Sequence, residues 1–177
     1  MIRPVLDYLP ALDRLDLVGP PVAEALLRWH HAGQVDVLAI DPAVSDTAAL
    51  VEATGMPLQS CANCVVVGGK REGVERVAAC LVLATTRADV NGMVRSRLDV
   101  RKASFLSMDD AVDRTRMEYG AITPVGLPRG WLVLVDAAVL DQPEVVIGSG
   151  VRSSKLRLPG ALVAQLPGVE VVEGLAG

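Results

Sequence analysis

The stretch SCANCVVV, residues 60–67, joins a C-x-x-C spacing to a run of three valines, and the valines predict a β-strand. In an extended strand, positions i and i+3 face opposite sides of the sheet and lie about 10 Å apart. A disulfide requires Cα atoms within about 7 Å, and the same separation keeps both thiolates from binding one zinc ion. We therefore expect Cys61, Cys64 and Cys80 to be buried, small apolar side chains rather than a redox or metal site.

The two histidines do not complete a metal site either. His30 and His31 are adjacent on a predicted helix, so their side chains face different directions and are expected at the surface or in packing contacts. The sequence contains no second C-x-x-C pair. We predict no metal and no other cofactor.

Working outward, residues 61–84 predict a β-hairpin. Its second strand is the apolar run VAACLVLAT, and GGKREG (68–73) predicts a long connecting loop because it is rich in glycine and charge. Before the hairpin, SDTAALVEATG (45–55) predicts a short helix with Ser45 or Asp46 as N-cap and Gly55 just past its end.

The other apolar runs predict further helices and strands. Helices are predicted over PPVAEALLRWHHAG, stopped by Gly33, over ADVNGMVRSRLD, capped by Asp89, and over SMDDAVDRTRMEYG, capped by Ser107 and ended by Gly120. Short strands are predicted at VDVLAI, KASFL, WLVLVD, EVVIG, KLRL and VEVVEG. Because strands outnumber helices and several follow one another directly, we predict an α+β fold with a mixed sheet.

Composition and charge argue against several functional classes. The 177 residues fit one domain, and 51% of them are apolar, which is enough for a sizeable core. No apolar run approaches the roughly 20 residues of a membrane helix, and the acids and prolines at the start are unlike a signal peptide, so we expect a cytoplasmic protein without a membrane partner. The net charge of −4 argues against a general nucleic-acid coat.

Two basic stretches depart from this acidic average. VRSSKLR (151–157) has three bases and no acid, and RSRLDVRK (95–102) is also basic. Each is either a solvated face or a local contact with a few phosphates, and the sequence leaves both interpretations open.

A second informative stretch is YGAITPVGLP (119–128), in which Pro124 predicts a turn before the next strand. By itself G-x-x-x-P is a common loop pattern. Here TAALVEATGMPLQSCANCVVV, a hairpin, TTRADVNGMVRSRLDVRKASFLSMDDAV, GAITPVGLP, VLVD and VIGSGVRSSKLRL follow in that order. With this order and spacing the sequence resembles the YbaK/EbsC family, aminoacyl-tRNA deacylases related to the editing domain of bacterial prolyl-tRNA synthetases. The resemblance covers roughly residues 46–166.

The resemblance implies a mixed sheet curled around a pocket, with flanking helices. The pocket would receive the aminoacylated 3′ end of a mischarged tRNA, and hydrolysis would use neither a metal nor a nucleophilic side chain. The family's G-x-x-x-P loop matches Gly120 through Pro124, including Thr123, and its backbone is implied to hold the substrate carbonyl and the attacking water. The family's glycine-rich turn matches Gly148, Ser149 and Gly150.

One position departs from the family. A lysine is typical about eight residues after the glycine that ends the first helix, and here that position is Asn63. A hydrogen bond to a charged group contributes about 1.5–3 kcal/mol and a neutral one about 0.5–1.5 kcal/mol, so an enzyme would be weakened rather than inactivated. Lys155 or Arg152 is a candidate to replace the charge; the alternative is that both are solvated.

The sequence is compatible with two functions. One is a trans-acting hydrolase that cleaves the ester of tRNA mischarged with a small amino acid, because synthetases discriminate a missing methylene by only about 1–3 kcal/mol. The other is a non-catalytic module that binds an aminoacyl or nucleotide end, which the loss of the lysine favours. We expect residues 1–45 to be an extension packed on an editing domain of residues 46–177. A synthetase partner and a homodimer remain open.

Overall fold

The computed structural model describes residues 4–177 of the chain. The helices within this range are α1 (Pro20–Arg28), α2 (Thr47–Thr54), α3 (Arg95–Leu98), α4 (Met108–Thr115) and α5 (Ala137–Leu140). The strands are β1 (Tyr8–Pro10), β2 (Asp36–Ala39), β3 (Ala62–Arg71), β4 (Val74–Leu83), β5 (Ala103–Phe105), β6 (Leu132–Asp136), β7 (Val145–Gly148), β8 (Ser154–Leu158) and β9 (Val169–Val172). Short 3₁₀ turns and one π turn, Val90–Val94, connect them.

The strands form two sheets. The larger has the order β5-β3-β4-β6-β9 and is mixed, because β4, β6 and β9 run parallel while β5, β3 and β4 are antiparallel. This confirms the predicted α+β fold with a mixed sheet. The smaller sheet, β1-β2-β8-β7, is antiparallel throughout and was not predicted as a separate unit. The two sheets meet where Cys61 forms a parallel bridge with Val146.

The predicted hairpin is present, but its long loop is wrong. The strands β3 and β4 pair over ten residues each and are joined by Glu72 and Gly73, whose φ angles of 51° and 80° form a tight two-residue turn. Gly68 and Gly69 belong to β3 instead of the loop. A Cβ at Gly69 would lie 2.5 Å from the carbonyl oxygen of Lys102, so glycine here permits close approach of a neighbouring segment.

Most predicted helix ends follow local capping chemistry. The Asp46 side chain accepts hydrogen bonds from the first turn of α2, Gly55 ends that helix with a φ of 70°, and Ser107 caps α4. The predicted end of α1 at Gly33 is wrong: the helix stops at Arg28, where Trp29 becomes extended and its indole donates a hydrogen bond to the Gln165 carbonyl.

The fourth helix also ends earlier than its sequence pattern predicts. It stops at Thr115, and Arg116 takes the left-handed conformation usual at a helix end, with a φ of 56°. Gly120 therefore lies four residues further on, in a loop, where its own φ is 83°. This shift separates Gly120 from helix capping and leaves it as part of a surface loop between α4 and β6.

Alternating apolar residues place a core on each face of the mixed sheet. The main core lies between the two sheets and includes Leu81 and Val135 of the mixed sheet and Leu156 of the smaller one. On the opposite face of the mixed sheet, Val67 and Cys80 pack with Leu98 of α3. A third cluster places Leu50 of α2 against Leu38 and Val146 on the outer face of the smaller sheet.

The segment before residue 46 contributes to both sheet and core. Its strand β2 pairs with β8, and its helix α1 buries Val22 and Leu26. The division of the chain at residue 45 stays a prediction. Within residues 4–177, no helix is long and apolar enough to cross a membrane.

Candidate active site

A cavity of about 800 Å³ opens where the start of α2, strand β3, the loop after α4 and the β7–β8 turn come together. Five of the residues singled out from the sequence line it: Asn63, Gly120, Gly148, Arg152 and Lys155. These residues come from segments up to 92 positions apart in the chain. We call this space the candidate pocket.

The loop that carries Gly120 is held against the β7–β8 turn by backbone hydrogen bonds. The Glu118 N–H donates to the Gly150 carbonyl at 2.9 Å, and the Gly150 N–H donates to the Ala121 carbonyl at 2.8 Å. Within residues 4–177, the N–H groups of Gly120 and Ile122 have no backbone acceptor. Because both residues line the candidate pocket, their N–H groups are candidate donors to a ligand.

Gly148 marks the closest approach between strand β7 and this loop. A Cβ at Gly148 would lie 2.6 Å from the Ala121 carbonyl oxygen and 2.8 Å from that of Ile122. Any larger residue would push the loop away from β7. Gly148 therefore sets the position of the loop that carries Gly120.

The other residues that the resemblance selected lie behind the pocket wall. Ser149 is fully buried, and its hydroxyl bonds the Val151 and Ser154 carbonyls at 3.0 and 2.9 Å. Gly150 packs against Gly19. Thr123 is fully buried, and Pro124 lines a separate cavity on the other side of the loop.

Asn63, which the resemblance places at the position of a family lysine, lines the pocket. Its carbonyl oxygen accepts a hydrogen bond from the Thr47 hydroxyl at 2.9 Å, so the amide NH₂ remains as a donor. Thr47 is the first residue of α2. The interaction joins the start of α2 to strand β3 at the pocket edge.

Lys155 is a nearly buried cation that lines the same pocket. It lies on β8 between Leu38 and Gly148 of the flanking strands and is only 7% exposed. No carboxylate of residues 4–177 forms an ion pair with its ammonium group. Burial lowers the Lys155 pKa, the nearby Arg152 lowers it further, and Cys61 and Asp46 act in the opposite direction.

Arg152 is half-buried and spans the space between the loop and the segment before α2. Its guanidinium donates to the carbonyls of Tyr119 and Pro42, each at 3.3 Å. A Cβ on Gly120 would meet this guanidinium at 3.0 Å. Arg152 thus holds the rim of the candidate pocket beside Gly120.

The structure adds pocket residues that sequence reasoning treated only as helix caps or did not select. Ser45 lines the pocket and is 1% exposed, and its buried hydroxyl has no hydrogen-bond partner within residues 4–177. Asp46 also lines the pocket while its carboxylate caps α2. The sequence indicated Ser45 and Asp46 only as possible N-caps of α2. Their place at a cavity becomes visible only when β2, β7 and β8 pair.

The cysteines are part of the apolar framework. Cys61 and Cys80 are buried, and Cys64 is half-buried in the pocket wall. Burial raises the pKa of the Cys64 thiol well above its ordinary value and that of Cys80 to about 12, which keeps both protonated. No group of three or more His, Cys, Asp or Glu side chains within the described part of the chain could hold a metal ion.

Several solved structures share this fold. A candidate trans-editing enzyme for prolyl-tRNA synthetase aligns with a TM-score of 0.73 at 19% identity, over 88% of this chain and 97% of that one. The hypothetical protein APE2540 aligns with a TM-score of 0.70 at 18% identity, over 80% of this chain and 90% of that one. A scaffold protein from an epitope-grafting study aligns with a TM-score of 0.74 at 19% identity, over 88% and 95%. At these identities the likeness establishes the fold.

The sequence itself establishes the family. The family model of the aminoacyl-tRNA editing domain matches residues 41–166, and the chain therefore belongs to that family. This confirms the resemblance to the YbaK family. A comparison with curated protein sequences gave no match.

Proposed function

We propose that the protein is a trans-acting hydrolase that cleaves the ester between a mischarged amino acid and the 3′-terminal ribose of a tRNA. The observation that carries the proposal is a buried lysine, Lys155, that has no ion-pair partner within residues 4–177 and lies in the same cavity as Gly120 and Ile122, whose N–H groups have no backbone acceptor in that range. An aminoacyl ester attached to a nucleotide has a negatively charged phosphate, which suits the lysine, and a polarised carbonyl, which suits the N–H donors.

Lys155 supplies the charge that Asn63 lacks. A buried ammonium without a counter-ion is costly to fold, and binding an anion offsets that cost. In the proposed complex Lys155 binds a phosphate of the terminal nucleotide, and the Asn63 amide adds a neutral hydrogen bond. Asp46, whose carboxylate lies near Lys155, takes the α-ammonium group of the amino acid.

The loop donors stabilise the reaction at the ester carbonyl. Water adds to the carbonyl carbon, and negative charge develops on the carbonyl oxygen, which the N–H groups of Gly120 and Ile122 bind. The bond from the carbonyl carbon to the ribose oxygen then breaks, and a proton from the water ends on that ribose oxygen. A single donor of this type contributes about 10²–10³-fold to the rate.

The pocket walls suit a small amino acid. Ala62, Cys64, Val66, Leu106 and Ile122 line it with short or aliphatic side chains. The thiol of Cys64 is protonated because burial raises its pKa, so it serves as wall and not as nucleophile.

A deacylation panel tests the proposal. Purified protein is incubated with tRNAs charged with alanine, serine, cysteine, threonine or proline, or with a larger amino acid, and the remaining ester is measured over time. The proposal expects hydrolysis of at least one small aminoacyl ester and none of the larger ones. The rival, a non-catalytic binding module, is favoured by the neutral Asn63 and expects saturable binding of aminoacyl-tRNA with an unchanged ester lifetime.

A further inference from the structure

A second surface of the protein concentrates positive charge. Two adjoining cavities of about 640 and 520 Å³ share Arg114, Arg129, Gly130 and Trp131. Together they are lined by six arginines, which we call the arginine face: Arg28, Arg76, Arg97, Arg114, Arg116 and Arg129. Only two acidic residues, Glu24 and Glu75, line the same cavities within the described chain. This local excess of positive charge contrasts with the net charge of −4.

Two of these arginines lack a carboxylate partner. Within residues 4–177, Arg28 and Arg129 form no ion pair. The other four pair with carboxylates across partly exposed contacts, namely Arg76–Asp99, Arg97–Glu170, Arg114–Glu75 and Arg116–Glu24. Exposed pairs of this kind contribute only about 0–1 kcal/mol, so an incoming anion can displace the carboxylates at low cost.

An aromatic ring holds one arginine of the face. The Arg114 guanidinium lies over the Trp131 ring at 5.3 Å from its centre, and its edge bonds the Glu75 carboxylate at 3.0 Å. An arginine oriented in this way keeps its planar donors aligned for a phosphate group. The chain's other tryptophan, Trp29, lines the larger of the two cavities.

The arginine face and the candidate pocket lie on opposite sides of the loop after α4 and are lined by neighbouring residues of that helix and loop. On α4, Ala111 lines the pocket and Arg114 lines the face; these residues are about 4.5 Å apart along the helix axis. On the following loop, Gly120 and Ile122 line the pocket, while residues 124–131 line the face. One polyanion can therefore reach both sites around a single helix and its loop.

We propose that the arginine face binds the phosphate backbone of the RNA whose 3′ end enters the candidate pocket. The inference rests on the proposed function, because that function supplies the RNA at the adjoining pocket. Arginine forks match phosphate groups bidentately, and the contacts carry no base information, so the face positions the acceptor end without selecting its sequence. It also gives a role to the basic stretch 95–102, which contributes Arg97.

The test measures binding of an uncharged, fluorescein-labelled RNA hairpin with a single-stranded CCA end, by anisotropy over a series of salt concentrations. We expect Arg129→Glu, alone and combined with Arg28→Glu, to weaken binding by about tenfold or more. The slope of log affinity against log salt should fall by about 0.7–0.9 for each phosphate that the variant no longer neutralises. Arg14→Glu makes the same charge change at an exposed residue outside the face and should leave affinity and slope nearly unchanged.

Catalysis then separates this inference from the proposed function. With a full-length charged tRNA, Arg129→Glu should raise KM and leave kcat unchanged, while hydrolysis of a charged CCA trinucleotide should match the wild type. If the wild type hydrolyses no ester, the proposed function fails, and the hairpin measurement still decides the inference. Three results would overturn the inference. Arg129→Glu could bind the hairpin as tightly as the wild type, Arg14→Glu could weaken binding as much as Arg129→Glu does, or the wild type could bind an acidic peptide but not the hairpin.

Discussion

Replacing Lys155 with alanine tests whether the pocket has recovered the charge that Asn63 lacks. Lys155 is 7% exposed, and its ammonium group has no ion-pair partner within residues 4–177. A phosphate bound in the pocket would therefore find in this lysine a counter-ion that is already shielded from water. A hydrogen bond to a charged group contributes about 1.5–3 kcal/mol, which corresponds to an increase of about 10- to 150-fold in KM.

The assay is single-turnover deacylation of a mischarged tRNA over a range of enzyme and salt concentrations. Lys155→Ala should raise the half-saturating concentration and flatten the salt dependence by the equivalent of about one phosphate. Lys70→Ala removes the same charge from the exposed end of β3 and serves as the matched control. Asn63→Lys should add little activity, because two cations would then share one pocket.

The free energy of unfolding of Lys155 variants distinguishes a ligand-binding role of this residue from a structural one. Burial places the folded-state pKa of Lys155 below its unfolded value, so the charged form opposes folding at neutral pH. This cost disappears as the pH rises through the folded-state pKa towards the ordinary lysine value of about 10.4. Lys155→Met should therefore raise the free energy of unfolding near neutral pH, on the order of 1 kcal/mol, and less in alkali.

Two outcomes would refute this reasoning. If Lys155→Ala keeps the wild-type KM and salt slope while Asn63→Lys increases activity, then Lys155 does not replace the positive charge of the family lysine. If Lys155→Met lowers stability at neutral pH, the ammonium has a structural partner and is not held for a ligand.

Three further predictions concern the loop, its support and the thiols. Gly120→Ala, at a φ of 83°, should lower the deacylation rate at least about 100-fold with the fold intact by circular dichroism, and an unchanged rate would remove the loop from the mechanism. Gly148→Ala, whose Cβ would lie 2.6 Å from a carbonyl oxygen, should lower the free energy of unfolding by about 1–3 kcal/mol in denaturant titrations; a wild-type midpoint would contradict the close approach. Because burial raises the pKa of Cys64 and Cys80, alkylation of the native protein should be at least about tenfold slower than that of a free thiol at pH 8 and quicken in stronger alkali. Stoichiometric zinc or a Cys61–Cys64 disulfide would disprove that assignment.

Local chemistry allowed several parts of the fold to be predicted. Asp46, Ser107 and Gly55 act within one turn of their helices, so their side chains and backbone conformations determine helix ends without help from distant residues. The alternating apolar runs likewise predict the strands. The failures occurred where a distant segment overrode the local preference. Gly69 is part of β3 because Lys102 passes close to it, and α1 stops at Arg28 where Trp29 turns to the Gln165 carbonyl.

The sequence alone determined which residues to consider for the site, because the spacing from Gly55 to Asn63 and the G-x-x-x-P loop are linear patterns. Tertiary structure decided which of them meet. Pairing of β8 with β2 and β7 buries Lys155, which has no carboxylate partner within residues 4–177, and no local pattern predicts this environment or the place of Ser45 at a cavity. The folded chain brings Asn63, Gly120 and Lys155 together in one pocket, while Pro124 lines a separate cavity. Burial and unmet charge arise from contacts between distant segments, and for that reason they became visible only in the folded chain.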